Sequence, residues 1–239
     1  MAANEGSETS LRSCPLVLTH DRLFECHFQL HQMIAAYHHP APFRYSANAF
    51  LASSKSALEM VRLDMEKEGE NAWRRERVGQ VLADDLFSQF NVARNFVIHQ
   101  GSLIRSSQIE LGVFAYRRLK LALSTELKTD APSHVLIDRI ANSDSASMFV
   151  QPDRPFIGEQ LGVRRVYREP KLSAEHDVLT ASDMILNQLC SLVDDCHLHL
   201  GVPFDADAHD CDVTHDLEQH AILLETDVDP TLVKKWDWD

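Results

Sequence analysis

Arg94, Asn95 and His99 stand in the run Arg94-Asn95-Phe96-Val97-Ile98-His99-Gln100-Gly101. Their types suit phosphate chemistry. A histidine that titrates near neutrality moves protons at cellular pH, as RNA cleavage by its own 2'-hydroxyl requires. An arginine is a permanent, forked cation that stabilises the charge-rich phosphorane formed on the way. In this reading His99 is the general acid or base and Arg94 is the phosphate ligand. No metal and no cofactor is required. Asn95 lies four positions before His99, on the same face of a helix, where it either orients the imidazole or contacts RNA. Asp85, Ser88 and Ser102 recur on that face at three- and four-residue steps or their multiples. Five positions are about 500° of helix, so Arg94 and His99 point roughly 140° apart, and one helix alone does not aim both at one phosphate.

The elements that carry these residues are helical. Residues 20–38 place Leu23, Phe24, Phe28, Leu30, Met33, Ile34 and Tyr37 at helical spacing. The His-His-Pro-Ala-Pro run at 38–42 ends that helix, because proline lacks an amide hydrogen and restricts the residue before it. A second helix is expected over 43–67, with Phe50, Leu51, Ala57, Leu58, Val61 and Met65 inward and Gly69 as its stop. The third, expected over 71–103, carries Val81, Leu82, Leu86, Phe90, Ala93 and Val97 and closes at Gly101. A fourth, over 174–200, presents Val178, Ala181, Ile185, Leu189, Leu192 and Val193 and stops at Gly201. Residues 105–172 differ: 108–118, 133–140 and 162–169 are short and rich in β-branched and aromatic residues, and read as strands or irregular segments. The spacing thus predicts a mainly α protein: an up-and-down four-helix bundle over 20–200, with a small irregular or β-containing insertion at 105–172 before the last helix. Residues 1–19 read as a flexible lead. Residues 201–239 read as an acidic tail, with a short helix at about 214–225.

An arginine, a polar residue beside it and a histidine five places on, late in the third helix of a bundle, resembles the HEPN domain family. The resemblance covers about 20–105 and 174–200, outside the insertion and the tail. Arg22 and His27 repeat the spacing, with Leu23 where Asn95 stands. HEPN domains are four-helix bundles, many of them metal-independent RNases, and the site is completed by a second protomer across a dimer interface. The resemblance therefore implies an endoribonuclease acting as a homodimer, of toxin or defence type, with Arg94 and His99 catalytic. Asn95, Asp85, Ser88 and Ser102 would bind or orient substrate. It leaves open a non-catalytic helical module for protein binding and assembly, and a protein antitoxin or regulatory partner.

Charge sharpens what the chain can bind. There are 23 Lys and Arg against 36 Asp and Glu, a net of -13. Residues 174–239 hold 16 acids and two bases, so the excess is local and the first 173 residues balance at +1. The acidic total therefore does not argue against RNA on the body. The insertion holds 11 bases against eight acids, among them Arg117, Arg118, Lys120, Arg164, Arg165 and Arg168. The tail could compete with RNA for the body or dock a basic partner. No stretch approaches a membrane span, the start has no signal-peptide core, and five scattered cysteines without a CxxC read as reduced thiols of a cytoplasmic protein.

Other constellations read blandly. His27 and His31 are four apart, but no HExxH completes a metal site. Cys196, His197, His199, His209, Asp210, Cys211, Asp212, His215 and His220 are metal-capable types without a recognised spacing. Asp84-Asp85 and Asp194-Asp195 read as solvated helix edges, and Phe43, Arg44 and Tyr45 as a packed turn. No phosphate-binding glycine loop or nucleophile elbow is present.

Overall fold

A computed structural model of the chain describes residues 14–101, 103–104, 107–143, 159–203 and 217–235. The chain divides into two units. The first comprises residues 1–32, 46–103 and 169–213, the second 33–45, 104–168 and 214–239.

The first unit is helical. Helix α1, Val17–Ala35, buries Leu23, Cys26 and Leu30 at the three- and four-residue steps of one helical face. Helix α2, Pro40–Lys67, opens on a proline, which the first turn tolerates because its amide would have no partner there. Phe50, Leu51, Leu58, Val61 and Met65 form its buried side, and the chain leaves at Gly69 with φ +82. The expected third helix is two. Helix α3 is Asn71–Ala83 and helix α4 is Asp85–Gln100. Asp84 sits between them with extended backbone, and its carboxylate accepts the Phe87 N–H at 3.1 Å. An Asp that caps a helix start competes with continuing the previous helix, which the apolar periodicity running through 81–97 does not register. Helix α6, Val178–Leu200, starts on an Asp177 cap and ends at Gly201, whose left-handed φ of +64 a side chain would strain. Both α3 and α4 pack on α6. Phe50 meets Phe90 edge-on at 5.7 Å, and Arg77 pairs with Asp195 at 2.6 Å.

The second unit is built on an antiparallel sheet of strand order β2-β1-β3-β4, where β1 is Ser107–Ala115, β2 Arg118–Thr129, β3 Glu159–Val166 and β4 Ile222–Leu224. Strands β1 and β2 join through Tyr116 and Arg117, both at positive φ, the two-residue turn whose twist suits a hairpin. Strand β3 pairs with β1 from Gln108 opposite Val166 to Ala115 opposite Glu159. Residues 133–140, expected as a strand, are helix α5, Ser133–Ala141. Its Leu136 and Ile137 lie on Ile109, Leu111 and Val163 of the sheet, with Ile140 beside them, so helical spacing overrides β-branched propensity. After β4 come α8, Glu225–Val228, and α9, Thr231–Lys235; a single turn, α7 (Leu217–His220), precedes it.

The expectation of a mainly α, up-and-down four-helix bundle with a small insertion is therefore corrected to an α+β fold. The physical reason is that 105–172 does not merely decorate a bundle. It forms a sheet with its own core, and a strand from the acidic C-terminal region, pairing Gly162 with Leu224, completes it. Among the described residues no helix is long and apolar enough to cross a membrane.

Candidate functional site

Helix α4 carries the residues singled out for chemistry. Phe87, Phe90 and Ala93 turn inward and fix the rotation of the helix. The opposite face exposes Asp85, Ser88, Asn95 and His99, so four members of the expected polar stripe do share solvent. Ser102 lies outside the described residues. Arg94, one step from buried Ala93, is half-buried. Its Nη1 donates to Asn95 Oδ1 at 3.0 Å, while its Nε is buried without a hydrogen-bond partner. Among the described residues no ion pair joins Arg94 to Asp85 or to any other carboxylate. The structure thus brings Arg94 to Asn95 rather than to His99, as five helical positions require. Two apolar residues interrupt the stripe: Val92 is 61% exposed and Ile98 48%. Below them Lys171 lies over the Phe96 ring at 4.1 Å.

Three of the basic residues of 105–172 are committed elsewhere. Arg165 is fully buried, donating to Ser107 Oγ, to Ser133 Oγ at 3.0 Å and to the Ala131 carbonyl at 2.5 Å. Arg117 pairs with Asp227 at 2.9 Å and Arg164 with Glu110 at 3.5 Å. Phe43 stacks on Tyr167 at 3.8 Å, and Arg44 pairs with Asp130, while Tyr45 stays exposed.

The family model for bacteriophage lambda protein ea47 matches residues 8–226. The chain belongs to the bacteriophage lambda Ea47 family. That match runs through helices and sheet alike, and it overturns the HEPN resemblance, which rested on an arginine, a neighbouring polar residue and a histidine late in the third helix of an expected bundle. With 23 basic residues and 13 histidines an arginine five places before a histidine arises readily, as Arg22 and His27 show. No curated protein and no solved structure matches the chain.

A second constellation in this Ea47-family chain lies within the helical unit and joins His197, already a metal-capable candidate, to two residues the sequence did not connect with it. Cys14 precedes α1, His20 is on its first turn and His197 is near the end of α6. Nε2 of His20 and Nε2 of His197 are 2.9 Å apart, and Cys14 Sγ is 3.6 Å from His197 Nε2. All three ligand atoms lie within 4.8 Å of one another and are buried, although Cys14 as a residue is partly exposed. Beside them Asp64, fully buried, accepts Thr19 N–H and Thr19 Oγ1–H at 3.0 Å each and Lys67 Nζ at 3.0 Å. This holds the start of α1 on α2. Burial pushes the Cys14 thiol up, against the Leu16 N–H that donates to its sulfur at 3.4 Å, and Asp64 adds to the rise. Burial pushes the His197 imidazole down. Cys14 and His197 are 183 positions apart, so no local spacing announces them, and Cys14 falls in what reads as a loose lead. The His27 and His31 rings do touch, at 4.3 Å between centroids, as a pair four apart on α1 should.

Proposed function

We propose that the exposed face of α4 contacts RNA and supports metal-independent cleavage of its backbone. The observation that carries this reading is the joint exposure of Asp85, Ser88, Asn95 and His99, with the Arg94 guanidinium held beside them by Asn95 and its Nε still unbonded. His99 takes the proton of a 2'-hydroxyl, or returns one to the leaving 5'-oxygen. The 2'-oxygen bonds to phosphorus as the phosphorus–5'-oxygen bond breaks, leaving a 2',3'-cyclic phosphate. Arg94 stabilises the phosphorane charge. Since the two side chains diverge by roughly 140°, a homodimer with two α4 faces across one groove supplies the pair that a single helix does not. Among the described residues no cysteine forms a disulfide, which fits a reducing cytoplasm.

The test is incubation of the full chain with total RNA and tRNA in chelator, followed by mapping of the ends. Wild type is expected to leave 2',3'-cyclic phosphate ends, and His99→Ala or Arg94→Ala to slow their formation by about 10²–10⁴-fold with helical content unchanged. Unchanged cleavage in either variant refutes the proposal. A second reading has its own support. Val92 and Ile98 are apolar and solvent-exposed on the same helix, which suits a module that binds a protein partner. It predicts no cleavage of any RNA and a stable complex lost on Val92→Asp.

A further inference from the structure

We infer that Cys14 Sγ, His20 Nε2 and His197 Nε2 form a zinc-binding site inside the helical unit. Among the described residues they are the one group of three metal-capable side chains whose ligand atoms converge. Three parts of the chain deliver them: the segment before α1, the first turn of α1 and the last turns of α6.

Zinc bonds nitrogen at about 2.0–2.1 Å and thiolate sulfur at about 2.3 Å in tetrahedral sites. Those lengths separate two ligand nitrogens by about 3.3 Å and a nitrogen from a sulfur by about 3.6 Å. The observed 3.6 Å from Cys14 Sγ to His197 Nε2 already meets that spacing. The 2.9 Å between the histidine nitrogens needs to open by a few tenths of an ångström, a small adjustment of two ring torsions.

The chemistry agrees. One thiolate with two imidazoles is a borderline-soft donor set that selects zinc over magnesium or calcium, which prefer oxygen. A hydrogen bond between the two rings accounts for the two nitrogens, and Cys14 Sγ stands within hydrogen-bond reach of His197 Nε2 and of the Leu16 N–H; one metal ion would tie the sulfur and both nitrogens together. The Leu16 N–H that donates to Cys14 Sγ is the outer-sphere bond that favours a thiolate. The backbone around His197 is likewise fixed: Val202 N–H returns to the His197 carbonyl at 3.1 Å, and Gly201 turns the chain there. Asp64 pins Thr19, the neighbour of His20, through two hydrogen bonds. With three protein ligands the fourth position is left to water. On binding, the Cys14 thiol proton passes to solvent. The ion would staple residue 14 to residue 197, at opposite ends of the helical unit in sequence.

The experiment uses the full chain, stripped of metal with chelator, and titrates it with Co²⁺ as a spectroscopic stand-in for zinc. The expected result is a sulfur-to-cobalt charge-transfer band with the visible bands of a four-coordinate ion, saturating at one ion per chain and displaced by zinc. Cys14→Ser is expected to abolish the charge-transfer band, and His197→Gln to weaken zinc binding by more than the 10–100-fold that loss of an outer partner costs. Cys190→Ser is the control and keeps the band. Cys14 is partly exposed, so its serine variant folds even where a change at buried His197 does not. Zinc raises the melting temperature of wild type and not of Cys14→Ser. A folded wild type with no sulfur-to-cobalt band, or a band that survives Cys14→Ser, overturns the inference.

Discussion

Replacing Asp64 by alanine and by asparagine separates two things its carboxylate does. Oδ2 accepts two donors from Thr19, the backbone N–H and the hydroxyl, each at 3.0 Å and both buried. Oδ1 meets Lys67 Nζ at 3.0 Å, but that lysine side chain is 59% exposed. A pair so open to water contributes at most about 1 kcal/mol. The buried donors matter more. Asp64→Ala strands both, and each unsatisfied buried donor costs about 1–3 kcal/mol, so the variant should lose about 2–6 kcal/mol. Asp64→Asn keeps a carbonyl oxygen with two lone pairs for both Thr19 donors and forfeits only the charge, so its loss should stay near the exposed-pair figure of about 1 kcal/mol. Against a total stability of about 5–15 kcal/mol, the alanine variant should be visibly weakened and the asparagine variant hardly so. Urea unfolding followed by helical circular dichroism reads the two midpoints. If alanine and asparagine fall within about 0.5 kcal/mol of each other, the hydrogen bonds to Thr19 are not what holds α1 to α2.

Two further changes follow from single contacts. Asp84→Ala removes the acceptor for the Phe87 N–H and should cost about 1 kcal/mol, read as a lower urea midpoint; no change would mean the break between α3 and α4 does not depend on that cap. Burial, with the Arg165 cation nearby, pushes His38 down to about 3 from an ordinary 6.5. Folding thus favours the neutral ring. Its contribution is complete above pH 6.5 and is lost as pH falls from there through about 3, because the unfolded chain takes up a proton that the folded one refuses. The unfolding midpoint should fall over that window, less steeply in His38→Gln; a His38 resonance titrating near 6.5 would refute it.

Helices were the legible part. Buried positions such as Leu23, Cys26 and Leu30, or Phe50, Leu58 and Met65, advertise themselves at three- and four-residue steps, and Gly69, Gly101 and Gly201 end helices with positive φ. Asp84 was legible in principle, as an Asp opening a helix, but apolar periodicity on both sides concealed it. Strand β1 showed its β-branched and aromatic run, whereas β2, an edge strand that leaves Leu119 and Leu121 exposed, showed none of the contrast that marks a half-buried strand. The HEPN resemblance failed because a three-residue motif and an expected bundle around it are local readings, while family membership is read over 8–226.

The chain by itself determined the helices Val17–Ala35, Pro40–Lys67 and Val178–Leu200, the faces they bury and that Asp85, Ser88, Asn95 and His99 share one helix face, because each depends on a repeat of a few residues. Tertiary structure alone decided that Ile222–Leu224 joins a sheet begun at Ser107. It alone decided that Arg165 is buried rather than part of a basic surface. It alone brought Cys14 and His20 to His197. Such meetings are between residues tens to nearly two hundred positions apart. They are selected by the burial of whole faces against one another, and no short-range pattern encodes which faces will meet.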